Sequence, residues 1–309
     1  MPTPPPEDEV ISWFDTLSNW GRWGPEDELG TLNLITPEVR RKAAAAVETG
    51  ESVSCAWEIP TGPLGLERTV IADDGTDEQA PRRLGYSTEQ ITSMTVHGYA
   101  TTHLDALCHI MWDGKLYNDR PGKLVSDADG AMALAITAAR QGVMTRGVLL
   151  DVAAARGVDR IEPGEGVFPE DLDAAEHRQS VRVEPGDAVF LRTGFGRFRR
   201  ETGKVSAAEA GVTQPGWQAA SLPWLRERDV ALIGCDSAND ATPSGYRQLA
   251  LPVHVIGLVA MGLWLIDNCD LEALAATAAR LSRWQFHLAV APLAFTGLTS
   301  SPVNPIATF

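Results

Sequence analysis

The sequence predicts one α/β domain, in which helices cover a sheet. Two observations support this prediction: short runs rich in Val, Leu and Ile alternate with segments of helical spacing, and no linker divides the 309 residues. Strands that alternate with helices are typical of a sheet covered by helices. A chain of this length can also bury a large core. We therefore expect a single domain over residues 1–309.

The first predicted elements are a tail, a helix and a loop. Residues 1–12 are rich in proline and acidic residues, and we expect a polar, flexible tail there. The segment TPEVRRKAAAAVETG has an N-cap threonine at Thr36, Pro37 at the first helical position and Gly50 as a stop, which predicts a helix. The charged and glycine-bearing stretch 72–86 predicts a surface loop.

Later apolar runs predict the strands of the sheet. Such runs are expected for strands buried on both faces. The four runs are RGVLLDV (146–152), DAVFLRTG (187–194), VALIGCD (230–236) and HLAVAPL (287–293). Helical spacing predicts helices in WQAASLPWLRERD (217–229) and LEALAATAARLS (271–282). Asp236 closes one run, where it either faces a pocket at a strand end or caps the next loop.

Charge and hydropathy exclude several classes of partner. The formal net charge of −15 disfavours the clustered Lys and Arg that bind nucleic-acid phosphates. The N-terminal residues lack the basic and apolar regions of a signal peptide, and the longest apolar stretch, 255–266, is too short to span a bilayer. We expect a cytoplasmic protein that binds neither nucleic acid nor membrane.

One short segment concentrates the histidines. VHGYATTHLDALCHI, residues 96–110, holds three of the six histidines, His97, His103 and His109, together with Asp105. In an extended strand, alternate side chains share a face, so His97, Tyr99, His103 and Asp105 would point the same way. Imidazole and carboxylate ligands suit zinc, manganese or ferrous iron better than magnesium or calcium. The pattern predicts a metal site, with a bare polar strand, a hydrogen-bonded cluster and a purely structural metal as alternatives.

The same segment carries a family resemblance. THLDALCH, residues 102–109, resembles the signature HxGTHxDAPxH of the cyclase family of metal-dependent hydrolases, which includes kynurenine formamidases, isatin hydrolases and trans-dienelactone hydrolases. The later segments RGVLLDV, IGCDSAND and LIDNCDLEAL resemble further blocks of the family in the same order. The resemblance implies a swivelling β/β/α domain with mixed sheets and flanking helices, assembled as a homodimer or homotetramer.

The resemblance also implies roles for individual residues. His103 and Asp105 fall on metal-binding positions, and His109 falls on the histidine that transfers protons. The first ligand position of the signature falls on Tyr99, and His97 is a possible replacement. Which of these two residues fills the position stays open.

A second metal is less clearly implied. His254 resembles a metal-binding histidine of the two-metal kynurenine formamidases, so we include it among the expected ligands, with a nearby hydrogen-bonding group as the alternative role. The acidic residue that would complete a second site is Asp267, one carbon shorter than the family's glutamate. We therefore expect one catalytic cation, Mn²⁺ or Zn²⁺.

The expected function is that of a metal-dependent hydrolase. A metal-activated water would open an amide or lactone of a small, cyclic or aromatic substrate, with His109 moving the proton. The alternatives are a lyase or cyclase, or a small-molecule binding protein, that uses the same cation without hydrolysis. The sequence identifies no substrate-binding residue.

Overall fold

A mixed sheet of nine strands forms the centre of the computed structural model, which describes residues 2–62, 66–73, 86–206 and 211–309. The strands of the described chain are β1 (Ser52–Ser54), β2 (Leu66–Asp73), β3 (Tyr86–Met94), β4 (His103–Asp105), β5 (Val125–Ser126), β6 (Gly130–Ala131), β7 (Val143–Asp151), β8 (Gly166–Val167), β9 (Ala188–Arg192), β10 (Gly216–Trp217), β11 (Leu232–Cys235), β12 (Trp264–Asp267), β13 (Gln285–Val290), β14 (Ser300–Pro302) and β15 (Ile306–Thr308). The α-helices are α1 (Glu7–Thr16), α2 (Pro37–Ala44), α3 (Val152–Ala155), α4 (Pro169–Gln179), α5 (Phe195–Thr202), α6 (Ser221–Glu227), α7 (Pro252–His254) and α8 (Glu272–Leu281). Short 3-10 turns connect several of them, and a π-helical segment, Val255–Met261, continues α7.

The large sheet has a parallel centre and antiparallel edges. Its strands follow the order β1-β15-β13-β7-β9-β11-β12-β4-β14. The four central strands, β7, β9, β11 and β12, run parallel to one another, and the remaining neighbouring pairs of this sheet are antiparallel. Strands β9, β11 and β12 are buried along their whole length, as is usual for parallel strands between two covered faces. The predicted α/β class is confirmed.

All four predicted strands form, but one differs in character. The runs at 146–152, 187–194, 230–236 and 287–293 correspond to β7, β9, β11 and β13. Side chains of β13 alternate between buried and partly exposed positions, so the prediction of burial on both faces is wrong there. The reason is that β13 lies between antiparallel partners, and such a strand commonly has only one face in the core.

The predicted helices are present in shorter form. The Thr36 side chain accepts a hydrogen bond from the backbone N–H of Val39 at 3.2 Å, so the predicted N-cap of α2 is confirmed. The helix ends at Ala44 and not at Gly50. Helices α6 and α8 lie within the two segments predicted to be helical. None of the helices in the described part of the chain is both long and apolar enough to cross a bilayer.

The N-terminal residues correct a second prediction. The expected flexible tail over residues 1–12 is wrong for its second half, because Glu7–Thr16 forms α1. Val10 is fully buried and Trp13 nearly so. These two residues are three positions apart and therefore share one helical face, which packs against the core.

The predicted loop at 72–86 is bordered by a hairpin. Strands β2 and β3 pair antiparallel along their length, so residues 72, 73 and 86 belong to strands. The other residues of the predicted loop, 74–85, lie outside the described residues. On the opposite side of the large sheet from β1, the short strand β4 pairs with β12 and β14. This edge of the sheet carries the candidate site.

Candidate metal centre

Sheet register brings three potential ligands onto one face. His103 and Asp105 begin and end β4 and, being two residues apart, point to the same side. Asp267 on β12 lies directly opposite His103 in the antiparallel pair. Directly opposed residues have their side chains on the same face of the sheet. The register alone therefore gathers an imidazole and two carboxylates.

A fourth side chain, His254, completes what we call the buried ligand cluster: His103, Asp105, His254 and Asp267. The Nε2 atom of His254 lies 3.3 Å from Asp267 Oδ2 and 3.5 Å from Asp105 Oδ2. The Nε2 atom of His103 lies 3.5 Å from Asp105 Oδ1 and 3.8 Å from Asp267 Oδ2. None of the four side chains is more than 6% exposed. Four potential ligand groups therefore converge in a space closed to bulk water.

Hydrogen bonds fix the tautomers of both histidines. The Nδ1 atom of His103 lies 2.8 Å from the carbonyl oxygen of Thr101, and that of His254 lies 2.6 Å from Asp240 Oδ2. Because these oxygens only accept, each Nδ1 carries the proton and donates it. A neutral imidazole then presents a lone pair at Nε2 toward the carboxylates. Such an outer hydrogen bond is the usual way in which a protein orients a metal-binding histidine.

The arrangement fits a cation. A lone pair on Nε2 that faces a carboxylate oxygen at 3.3 Å is repulsive unless a proton or a metal ion lies between them. Both carboxylate oxygens of Asp105 are buried and have no hydrogen-bond partner among the described residues. An unpaired buried charge is costly, so the cluster requires positive charge. Mixed nitrogen and oxygen donors match zinc, manganese or ferrous iron.

The electrostatics of the buried ligand cluster point the same way. Burial raises the pKa of Asp105, but His109 and His103 oppose this, and the pKa lies well below its usual value. Burial lowers the pKa of His254, but Asp267, Asp105 and Asp240 outweigh it, and the pKa is raised well above the usual value. The carboxylates thus stabilise a positive charge between the side chains, whether a proton or a metal supplies it.

Two further histidines cover the cluster. The rings of His97 and His109 stack with centroids 3.8 Å apart and planes inclined by 10°. His97 Nδ1 lies 3.2 Å from Asp105 Oδ1, and its Nε2 lies 2.9 Å from the hydroxyl of Thr299. His97, Asp105 and His109 also offer ligand atoms that lie within 4.8 Å of one another. These two rings are more exposed than the cluster beneath them, and the His97 side chain is 32% exposed.

His109 lies beside the cluster as a mostly buried imidazole. Its backbone N–H donates to the carbonyl of Ala106 at 2.9 Å, which forms the turn that returns the ring toward Asp105. Burial lowers the pKa of His109 to about 4, although Asp105 acts in the opposite direction. A neutral imidazole at neutral pH can take up a proton from a reacting group.

All five site residues predicted from the sequence lie together, but not in the predicted way. They are His97, His103, Asp105, His109 and His254. The expectation of one extended strand from 97 to 105 is wrong, because only His103–Asp105 is strand and residues 97–101 form bends. Gly98 has a φ of 115°, which breaks the extended path. His97 nevertheless reaches Asp105 through this bend.

Sequence reasoning left out two carboxylates. Asp267 is one carbon shorter than the family's glutamate, and it nevertheless lies within the buried ligand cluster. The available signal was its position after the apolar run LWLI, where a strand end is expected. Asp240, which accepts bonds from Nδ1 and the backbone N–H of His254, gave no signal, because its partner is 14 residues away.

Comparisons with known proteins concern the family and the fold of the chain. A family model with the description "Putative cyclase" matches residues 23–240. A crystal structure of a novel cyclase is 30% identical, covers 95% of this chain and 100% of its own, and has a TM-score of 0.85. Isatin hydrolase A from Ralstonia solanacearum is 19% identical, with coverage of 88% of this chain and 97% of its own and a TM-score of 0.56. Isatin hydrolase A from Labrenzia aggregata is 17% identical, covers 86% and 94% respectively, and has a TM-score of 0.55. A search of curated proteins gives no match.

Proposed function

Because the chain belongs to the cyclase family, we propose that it is a metal-dependent hydrolase that opens an amide or lactone bond of a small, cyclic or aromatic substrate. The observation that carries the proposal is the unpaired state of both Asp105 oxygens beneath two imidazoles, within the described part of the chain. In a purely structural cluster, we would expect hydrogen-bond donors to these two oxygens, so their absence among the described residues favours a bound cation.

The buried ligand cluster would hold Mn²⁺ or Zn²⁺, with His97 as a further ligand at its outer side. When bound, such a cation polarises a carbonyl group and acidifies water. The protein supplies the rigid setting: Asp240 and the Thr101 carbonyl hold the rings of His254 and His103 in one orientation. The strands that carry Asp105 and Asp267 exclude bulk water from behind the site.

His109 supplies the proton transfer. Water adds its oxygen to the acyl carbon, the bond from that carbon to nitrogen or oxygen breaks, and the product is a carboxylic acid with a free amine or alcohol. A ring nitrogen of His109 takes the proton from the attacking water and delivers it to the departing atom. The lowered pKa of His109, about 4, keeps the ring neutral at neutral pH, so that a ring nitrogen has a free lone pair. The more exposed side of the buried ligand cluster, where His97 and His109 stack, is the side from which a substrate would approach.

Turnover by protein loaded with Mn²⁺ or Zn²⁺ tests the proposal. The substrates are cyclic amides, N-formyl anilines and lactones, and the reaction is run in H₂¹⁸O with mass analysis of the product. Hydrolysis places one solvent oxygen in the new carboxylate, whereas lyase chemistry does not. If the metal stays bound and no compound in the three classes opens, the proposed function is wrong.

Replacement of the proposed proton carrier gives the first specific prediction. We expect His109→Gln to lower turnover by about 10² to 10⁴ while the metal affinity changes little, because positioned proton transfer contributes about that much. Steady-state kinetics and a competition titration with a chelator measure the two effects. His177→Gln is the matched control, since His177 is exposed on α4, and it should leave both values unchanged. Equal turnover in the His109→Gln and His177→Gln proteins would remove His109 from the mechanism.

A further inference from the structure

One arginine near the site lacks an acidic partner. Arg199 on α5 is half-buried, and no described carboxylate lies within 4.0 Å of it. Every other arginine of the described chain that is at least partly shielded from water forms an ion pair with Asp or Glu; these are Arg120, Arg146, Arg156, Arg160, Arg192, Arg197, Arg226, Arg228 and Arg283. In a chain with a net charge of −15, an unpaired and shielded cation is unexpected.

Arg199 lies against the loop that carries the outer part of the site. Its Nη2 donates to the carbonyl oxygen of Ala100 at 2.6 Å, between His97 and His103 in the chain. Its guanidinium carbon lies 4.2 Å from the centre of the Trp57 ring. The backbone N–H of Trp57 in turn donates to the side chain of Thr102. The guanidinium and the indole therefore contact the segment 100–102, which connects His97 with His103 of the buried ligand cluster.

The charge of Arg199 is only weakly compensated. Burial lowers the pKa of Arg199 to about 10, and Asp270 is the carboxylate that opposes this shift. Asp270 is bound by Arg200, so it does not pair directly with Arg199. The group stays charged at neutral pH, and a guanidinium has five N–H donors, of which one has a protein acceptor among the described residues. The remaining donors have the fork geometry that binds a carboxylate at two points.

We propose that Arg199 binds an anionic substituent, such as a carboxylate, of the substrate of this site. This inference rests on the proposed function and narrows its substrate class to amides or lactones that carry a negative charge away from the bond that opens. The ring of Trp57 packs against the guanidinium group of Arg199, and the Ala100 carbonyl accepts one of its hydrogen bonds, so the two contacts together orient the group. Arg199 contributes to substrate affinity and not to the proton transfer.

A matched pair of compounds tests the inference on the metal-loaded protein. Formanilide is the neutral member, and 4-formamidobenzoate is the anionic member with the same reacting amide. We measure KM and kcat for each compound, and the Kd of benzoate and of benzamide by calorimetry, for the wild type and for Arg199→Gln. The preference for the anion should fall by about tenfold to hundredfold in Arg199→Gln, as expected for a charge-assisted hydrogen bond. The metal's own attraction for anions contributes equally to both proteins and cancels in this ratio.

The control is Arg197→Gln. Arg197 lies on the same helix, α5, and forms an ion pair with Asp159 at 2.8 Å. Its replacement should keep the preference for the anion. Arg199→Lys retains the charge and should retain part of the preference, which covers the case in which Arg199→Gln does not fold. An unchanged ratio of anionic to neutral affinity in both Arg199 variants, or a wild type with no preference for the anion, overturns the inference.

The outcome separates this inference from the proposed function. If benzoate binds in an Arg199-dependent manner but no amide or lactone opens, the anion site stands and the hydrolase proposal fails. If neutral amides open and the anionic preference is absent, the hydrolase proposal stands and the role of Arg199 is wrong.

Discussion

Two buried aspartates in the same sheet have opposite surroundings. Asp105 on β4 and Asp236, which follows β11, are 0% and 2% exposed. The oxygens of Asp236 accept from the backbone N–H and hydroxyl of Thr193 at 3.0 and 2.6 Å and from the N–H of Gly194 at 2.8 Å. Both oxygens of Asp105 lack a hydrogen-bond partner within the described residues. The two carboxylates are therefore equally buried, but only that of Asp236 has its hydrogen bonds satisfied by the protein.

The difference shows that the hydrogen-bond partners, and not the degree of burial, distinguish these two carboxylates. Burial raises the pKa of Asp236, and the bonds from Thr193 oppose this only in part. At Asp105 burial acts in the same direction, but His109 and His103 reverse the result and hold the pKa well below its usual value. Asp236 accepts hydrogen bonds from the turn that begins α5, whereas Asp105 lies among histidines and attracts positive charge.

The same conservative substitution at both sites tests this contrast, and Asp105→Asn should have the larger effect on function. Asp105 belongs to both groups of three potential ligands in the described chain. We expect the Kd for Mn²⁺ or Zn²⁺ to rise by more than about 100-fold, since even the loss of an outer hydrogen-bond partner costs about 10- to 100-fold. The unfolding free energy of the metal-free protein should fall, because the neutral amide loses the attraction of the neighbouring histidines that holds the pKa of Asp105 well below its usual value. Chelator competition and urea unfolding measure the two quantities. Retained metal affinity would show that Asp105 is not a ligand.

Asp236→Asn should lower stability and leave metal affinity nearly unchanged. The amide NH₂ would face a backbone N–H donor where an oxygen now accepts, so the turn at Thr193 and Gly194 loses charge-assisted bonds. We expect a loss of about 2–4 kcal/mol in unfolding free energy, in line with one or two such bonds. Metal affinity should change by less than about threefold, because substitutions at sites that share no partner have nearly independent effects on free energy. A large loss of metal affinity in a protein that still unfolds cooperatively would mean that the two regions are coupled.

Elements with strong local patterns could be predicted from the sequence. Apolar runs gave β7, β9 and β11, and the Thr36 and Pro37 pair gave the start of α2. The histidine cluster was found because its members are close in the chain. Local spacing thus sufficed for these elements and for the histidine cluster.

Features that depend on distant partners could not be predicted. Asp267 joins the site because β12 pairs with β4 in the register that sets it opposite His103, and the residues paired in that register are 160 to 164 positions apart in the chain. Asp236 could be interpreted from the sequence as a pocket residue or as a cap, and only its bonds to Thr193 and Gly194 decide for the cap. The bend at Gly98 depends on Asn268, whose amide donates to the Gly98 carbonyl at 2.7 Å. Hydrogen bonds between remote segments leave no periodic signal.

A smaller effect is expected from Asp240, which combines features of both carboxylates. It accepts from backbone N–H groups, as Asp236 does, and it also orients the ring of His254. We expect Asp240→Asn to weaken metal affinity by about 10- to 100-fold, because an outer partner that fixes a ligand tautomer typically contributes this much. The competition titration used for Asp105→Asn measures it. An affinity equal to that of the wild type would indicate that His254 is held by packing alone or does not bind the ion.

The smallest predicted effect decides between the two candidates for the first ligand position. The Thr299 hydroxyl lies 2.9 Å from His97 Nε2, so it holds the ring whose Nδ1 lies 3.2 Å from Asp105. Thr299→Val keeps the shape and removes this bond, and a neutral hydrogen bond of about 0.5–1.5 kcal/mol corresponds to a Kd that rises about two- to tenfold.

Thr193→Val is the matched control, because it removes a threonine bond to Asp236 and should lower stability without changing the Kd. If Thr299→Val leaves the Kd at the wild-type value while His97→Ala also does so, His97 is not a ligand, and Tyr99 becomes the remaining candidate for that position. A rise in Kd confined to Thr299→Val and His97→Ala would instead assign the position to His97.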